Sequence, residues 1–305
     1  MTEGLKFAEL PSTPSEELEI LSDSEKFGNC QAIERILGNG EIANLVDIDT
    51  LRPELADSHV NAITVGDVSV DPIDVKHINR LMFLEIHQNG AVIQGLFKPL
   101  SGESQEVKQE SKDRTNVEID NFYQKERAAY VMDRLLGFGL TPPTAIRKIN
   151  GEIGALQLYI PPNIADNEEL LTNEIDTEKR ASGVDWQLMA VFDYLIGNGE
   201  RKPSNWLVNI ADNSKLYAID HGMAFYHPGI EKFERRGPRQ QISWNEAKRR
   251  YENVPLPNII LNRLKYIQEN KKPEIRDQLS GLMPDREIEL VLRRLDELIE
   301  KKIFL

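Results

Sequence analysis

The 305-residue sequence predicts an α+β fold of two lobes with a cleft between them, the first lobe rich in β-strand and the second mainly helical. Three observations predict it. Asn89-Gly90 and Asn150-Gly151 each separate two apolar runs. Both residues of such a pair tolerate positive φ, so each pair marks a tight hairpin. Between the hairpins, residues 121–136 carry Ala128, Val131, Met132 and Leu135 at helical spacing. Beyond Pro161-Pro162 the pattern is helical with one embedded hairpin.

The elements follow in order. Residues 1–26 carry Glu9, Glu16, Glu17, Glu19, Asp23 and Glu25 with Pro11 and Pro14, the composition of an acidic, disordered tail. Residues 27–160 form the first lobe. A short helix at 30–38 stops at Gly38-Asn-Gly40. Ala62-Ile-Thr-Val and Val68-Ser-Val70 are strand pieces. Leu81–His87 and Ala91–Phe97 pair through Asn89-Gly90, and Lys98 ends the second strand. Residues 101–120 are polar and charged, as in an exposed loop. Gly137 and Gly139 stop the 121–136 helix, and Pro142-Pro143 prevent its restart. Ala145–Ile149 and Ile153–Ile160 make the second hairpin.

Residues 161–305 form the second lobe. Val184, Leu188, Val191, Phe192 and Leu195 line one face of a helix that leads to Asn198. Asn205–Asn209 and Leu216–Ile219 make a third hairpin. Ile288, Val291, Leu292, Leu295 and Ile299 line a last helix, acidic at its start and basic at Lys301-Lys302, in the sense its dipole favours.

Composition narrows the function. A net charge of -13 argues against broad binding to nucleic acid or to an anionic membrane, both of which reward Lys/Arg patches. One cysteine, Cys30, rules out an internal disulfide and fits a reducing setting. No apolar run has the length of a membrane span, and the first residues lack the pattern of a signal peptide. The expected location is the cytoplasm, without stable membrane insertion.

The residues able to carry chemistry centre on Ile196–Asn209 and Leu216–Phe225. Glu200 and Asn205 lie five positions apart on a loop. Asp220 closes the following apolar run, ahead of His221 and Gly222. A carboxylate, an amide and a second carboxylate after a hairpin are what phosphoryl transfer asks for, because that reaction needs metal and phosphates held and an acceptor placed. Upstream, Lys98 ends a strand and Glu126 lies on the next helix, an order that suits an ion pair at nucleotide phosphates. The surface reading of each is a solvated charge, and the order of all five stands against chance. Trp186, Trp206 and His221 read as structural.

Phe97-Lys-Pro99, Glu126–Tyr130, Leu135–Thr144, Phe192–Asn198 and Ile219–Gly222 together resemble the atypical kinases of the phosphatidylinositol 3- and 4-kinase-like group. The similarity extends to bacterial members and to secretory-pathway casein kinase-like protein kinases, and covers roughly residues 80–225. The resemblance implies a protein-kinase-like fold that uses ATP and Mg²⁺, with Mn²⁺ as a possible substitute. It implies that Lys98 contacts the α/β-phosphates with Glu126 holding it or helping to place a metal, that Asn205 and Asp220 bind the cation, and that Gln157–Pro161, with Gln157 and Tyr159, line the adenine slot. It also implies that the loop at Asn89 and Gly90 covers the phosphates.

The main departure is Glu200, where the group has Asp. Glu is one methylene longer, and a misplacement of about 1 Å can lower a rate about 10²-fold. Glu200 either still orients the acceptor hydroxyl, or marks a nucleotide-binding pseudokinase, or forms a structural ion pair with Arg201. Lys202 stands where the group has His, and either neutralises the transferring phosphate or faces solvent. Arg201 reads as a brace for the loop acids. The expected acceptor is a protein Ser/Thr hydroxyl. An inositol or other small-molecule acceptor, and AMP transfer on the same fold, are the alternatives. The basic run Arg235–Arg239 with Arg249-Arg250 is either a solvated face or a pocket for an acidic group.

Overall fold

A computed structural model describes residues 27, 29–47, 63–65, 68–70, 80–105, 108–109, 121–161, 165–167, 184–198, 201, 205–211, 215–225, 251 and 253–305. The chain divides into two compact units. One comprises Asn29–Arg127 and Pro142–Pro162, the other Met1–Gly28, Ala128–Thr141 and Asn163–Leu305. The first is β-rich and the second mainly helical, so the fold is α+β.

The β-rich unit opens with helix α1 (Cys30–Asn39), whose N-terminus is capped by Asn29 Oδ1 accepting from the Ala32 amide at 3.0 Å. Strands β1 (Glu41–Asp47), β4 (Met82–Gln88), β5 (Ala91–Pro99), β6 (Thr144–Ile149) and β7 (Glu152–Leu158) form one antiparallel sheet in the order β1-β4-β5-β7-β6. Strands β2 (Ile63–Val65) and β3 (Val68–Val70) pair separately. Both Asn-Gly pairs make the two-residue turns expected of them. Asn89 and Gly90 have φ of 51° and 81°, Asn150 and Gly151 of 50° and 89°. Each closes a register in which Gln88 faces Ala91 and Ile149 faces Glu152. The apolar face of the sheet buries Met82, Leu84, Ile86, Phe97, Ala145, Ile149 and Leu156 with Leu37 of α1. Strand β1 is the element the sequence hides, because EIANLVD lacks clean alternation even though Gly38-Asn-Gly40 stands just before it.

Helix α2 (Phe122–Leu136) begins in the β-rich unit and continues into the helical one. There, α3 (Val184–Ile196) carries Trp186, Leu188, Met189, Val191, Phe192 and Leu195 into the larger core. Strands β8 (Ala165–Asn167), β9 (Trp206–Asn209) and β10 (Leu216–Ala218) form a small antiparallel sheet. Trp186 and Trp206 stack edge to face at 4.7 Å, and both are fully buried. Three further helices, α4 (Asn258–Asn270), α5 (Lys272–Leu279) and α6 (Asp285–Lys301), complete the unit. The apolar face expected of α6 is the buried one, and the helix ends where Lys302 turns left-handed, φ 57°. Among the described residues no helix is long and apolar enough to cross a membrane.

One expectation is corrected. The stretch after β5 is not uniformly exposed: Glu103 is 6% exposed, and its Oε1 accepts from the Tyr123 amide at 2.9 Å. A carboxylate fits there because the first amides of a helix have no partner within it. Lys108 pairs with Glu103 Oε2 at 2.6 Å. Burial, followed by the Glu103 charge, pushes the Tyr123 phenol above its ordinary range.

Candidate functional site

The candidate residues fall into two groups, one in each unit.

In the β-rich unit, Lys98 lies near the end of β5, and its ammonium donates to Glu126 Oε1 on α2. Glu126 is 2% exposed and the Lys98 side chain 19%, so the pair is sheltered on the carboxylate side and open on the ammonium side. The strand under Lys98 is seated closely on β7. A Cβ at Gly154 would stand 2.3 Å from the Lys98 carbonyl oxygen and 2.8 Å from Pro99 Cα. Only glycine fits there, because both neighbours are backbone.

Asn89 and Gly90 form the exposed tip of the β4–β5 hairpin, with open space around Gly90. Gln157 and Tyr159 turn their side chains to contacts within the unit. Gln157 Nε2 donates to Thr144 Oγ1 at 3.0 Å, and the Tyr159 ring meets Phe83 edge-on at 5.1 Å. The amides of Leu158 and Tyr159 donate to the Pro143 and Gln94 carbonyls at 2.8 and 2.9 Å. A ligand along Gln157–Pro161 would therefore depend on other backbone groups of this stretch.

In the helical unit, the site grows out of the end of α3. Gly197 has φ of 59°, a left-handed turn that ends the helix and starts the loop. Arg201 is fully buried and has three sets of partners. Its Nε and Nη2 donate to the Asp193 carboxylate, the latter at 2.8 Å. Its Nη1 donates to the carbonyl of Asn205 and, at 2.9 Å, to that of Ile219. Asn198 Nδ2 adds a bond to Asp193 Oδ1 at 3.0 Å, and the Ile219 amide donates to the Asn205 carbonyl at 3.0 Å. The guanidinium thus ties α3, the start of β9 and the end of β10 into one junction. A planar fork of five donors suits this task, because its three nitrogens reach separated partners that the single nitrogen of a lysine could not span.

Asn205 and Asp220 flank this junction. Asn205 is buried, whereas Asp220 is exposed and left-handed, φ 58°. Aspartate is among the few residues that adopt this conformation readily. His221 is fully buried with its ring 5.7 Å from Phe192, a structural position. Among the described residues no three His, Cys, Asp or Glu side chains come together as a metal cage. Glu200, Lys202 and the basic residues 235–250 lie outside the described residues.

Sequence reasoning missed Asp193, Glu103 and Gly154. Asp193 had a signal, a carboxylate within the almost wholly apolar VDWQLMAVFDYLI. A charge so placed needs a buried partner. Glu103 and Gly154 had none, since a helix-start acid and a strand glycine are both common in unconstrained positions.

Comparison with known proteins gives three findings. Residues 185–265 match the family description of phosphatidylinositol 3- and 4-kinases. Protein Rv2133c of Mycobacterium tuberculosis is 24% identical over 207 residues, covering 59% of this chain and 69% of that protein. Among solved structures, a Golgi casein kinase aligns with 99% of this chain and 93% of its own at 15% identity, with a TM-score of 0.47. The Helicobacter pylori proinflammatory kinase CtkA aligns with 75% of this chain and 89% of its own at 14% identity, with a TM-score of 0.41. The segment that holds Asp193, Arg201, Asn205 and Asp220 is thus similar to the phosphatidylinositol 3- and 4-kinases, within the atypical kinase group whose motif order the sequence follows.

Proposed function

We propose that this chain is an ATP- and divalent-cation-dependent phosphotransferase whose acceptor is a protein Ser/Thr hydroxyl. The observation that carries the reading is the Arg201 junction, which joins the Asn205 carbonyl to that of Ile219, the residue before Asp220. The backbone at Asn205 and that just before Asp220 are held by one buried guanidinium, which supports reading their side chains as partners in one site. The match of residues 185–265 to the phosphatidylinositol 3- and 4-kinases and the Lys98–Glu126 pair support the same reading.

The donor set suits Mg²⁺. A hard cation takes oxygen ligands, and Mg²⁺ in phosphoryl-transfer sites is held by one or two carboxylates together with substrate phosphates. Asn205 Oδ1 and the exposed Asp220 carboxylate are of that kind. When bound, the metal would supply charge neutralisation at the phosphates. The protein's own groups do the rest. Lys98 meets phosphate oxygens with its ammonium, and Glu126 keeps that ammonium aimed. Glu200 accepts a hydrogen bond from the acceptor hydroxyl and orients its lone pair, and Lys202 offsets negative charge on the group in transit. A soluble acceptor is favoured over a lipid, because the chain's net charge of -13 opposes an anionic surface.

Purified protein with ATP and Mg²⁺ should release ADP or phosphorylate itself, and Asp220→Asn should abolish this. Equal rates in the wild type and the variant would sink the assignment. The Glu at position 200 favours one other reading, a pseudokinase that binds nucleotide without transfer. That reading predicts thermal stabilisation by ATP and Mg²⁺, no ADP release, and no recovery in Glu200→Asp. The product mass separates phosphoryl from AMP transfer, and an inositol or another small hydroxyl compound can be offered in place of protein.

A further inference from the structure

We propose that helix α1 is a brace for the Lys98–Glu126 pair, and that Glu34 and Arg127 are the positioning residues through which it acts. The consequence for turnover rests on the phosphotransferase reading, whereas the brace itself does not.

Arg127 directly follows Glu126 on α2. Successive residues of a helix project about 100° apart, so the two side chains hold one turn from two sides. On one side Glu126 accepts from Lys98. On the other, Arg127 Nη2 donates to Glu34 Oε1 of α1 at 2.5 Å, and Nη1 donates to the Thr144 carbonyl of β6. Both members of the Arg127–Glu34 pair are 22% exposed, so it is partly shielded from water.

Neither anchor is loose. Thr144 faces Gln157 in the sheet, its hydroxyl accepts from Gln157 Nε2 at 3.0 Å and donates to the Pro142 carbonyl at 2.9 Å. Helix α1 is fixed along its length. Asn29 caps its start, Leu37 is fully buried against the sheet, and Arg147 of β6 donates to the Leu37 carbonyl at 3.0 Å and to that of Gly40 at its end. The side-chain path therefore runs from α1 and β6 through Arg127 to the turn that carries Glu126, and from there to Lys98 on β5. Arginine is suited to the central position because two separate nitrogens of its fork serve the carboxylate and the carbonyl together, whereas a lysine has a single nitrogen for both. This gives α1, which lies outside the segment matched to the phosphatidylinositol 3- and 4-kinases, a definite task.

The test uses the full chain with Glu34→Gln, Arg127→Lys, the double variant, and Glu126→Gln as the control that breaks the pair directly. The primary readout is the rate at which a small acylating reagent modifies the Lys98 amine, followed by peptide mass spectrometry. An amine held against a carboxylate is slow to react. Glu34→Gln and Arg127→Lys should each raise the rate roughly three- to tenfold, as a Lys98 amine no longer fixed on Glu126 becomes freer to meet the reagent. The double variant should equal Arg127→Lys alone, because Glu34 acts on the pair only through Arg127. Where ATP is turned over, kcat/KM for ATP should fall by a similar factor at temperatures well below melting. Unchanged Lys98 reactivity in both single variants, with a rise in Glu126→Gln, overturns the brace even if melting temperatures drop. So does a double variant in which the two effects multiply. If the wild type neither binds nor turns over ATP, the functional reading fails and the labelling result still decides the brace.

Discussion

Arg201 and Asp193 form the most consequential pair in the helical unit, since neither exposes any side chain to solvent. Removing one partner of such a pair leaves a buried charge without compensation, which costs about 3–5 kcal/mol. Arg201→Met is therefore expected to lower stability by about that amount, read as a shift in the urea midpoint. A change under 1 kcal/mol would mean that water reaches the site. Gly154 gives a second test at this scale. Alanine there would place a methyl against the Lys98 carbonyl and Pro99 Cα, neither of which can rotate away. Overpacking of this kind costs about 1–3 kcal/mol, and on the phosphotransferase reading Gly154→Ala should also raise KM for ATP by moving Lys98. Single residues were unevenly legible in the sequence. Lys98 and Glu126 could be paired in advance because they sit on consecutive elements that each declare themselves. Asp193 and Arg201 could be suspected only from a charge amid apolar neighbours. Gly154 could not be found, because what demands it is the backbone of another strand.

Among the elements, α6 has a role the sequence did not announce. Arg294 donates to the Leu195 carbonyl at 3.3 Å, and its guanidinium lies where a Cβ on Gly197 would stand, 2.5–2.8 Å away. Glu297, one turn on, accepts from the Tyr194 hydroxyl at 2.6 Å. The last helix thus grips the end of α3 just before the loop that bears Arg201. Gly197→Ala should be destabilising on two grounds, left-handed backbone, costing about 1–2 kcal/mol, and collision with Arg294. In an Arg294→Ala background only the backbone part should remain, so the double-mutant cycle should show a coupling above about 0.5 kcal/mol. Helix α6 also offers a pH test. Burial tends to raise the Asp296 pKa, but hydrogen bonds from Lys272 and Gln268 and the Lys272 charge outweigh it, so the group lies below its usual range. A depressed carboxylate stabilises the fold above its unfolded pKa of about 3.9, and this is lost as pH falls through the lower folded value. Asp296→Asn should therefore narrow the stability gap between pH 6 and pH 3, as followed by thermal melting. Helices and hairpins were the most legible part of the chain, because Asn-Gly turns and apolar faces are local signals. Strands β1 and β8 were not, since their pairing depends on partners far away in sequence.

The molecule as a whole is two compact units, one centred on a sheet and one on packed helices. The change from β-rich to helical pattern was readable along the chain, whereas the assignment of Ala128–Thr141 to the helical unit was not, because a continuous helix shows no seam in its sequence. If the chain binds ATP with Mg²⁺, ligand at a hundredfold excess over Kd should stabilise it by about 2.7 kcal/mol. Absence of any melting shift across that range would argue against nucleotide binding altogether. Asp220 bears on how such a protein could lose its chemistry over generations. At φ 58° the backbone accepts asparagine or glycine in its place with little penalty and resists most other side chains. If Asp220 holds a cation, descendants that have given it up should therefore carry Asn or Gly here more often than Ala or Val, and the identity of that one letter would distinguish gradual retirement of the site from outright collapse of the loop.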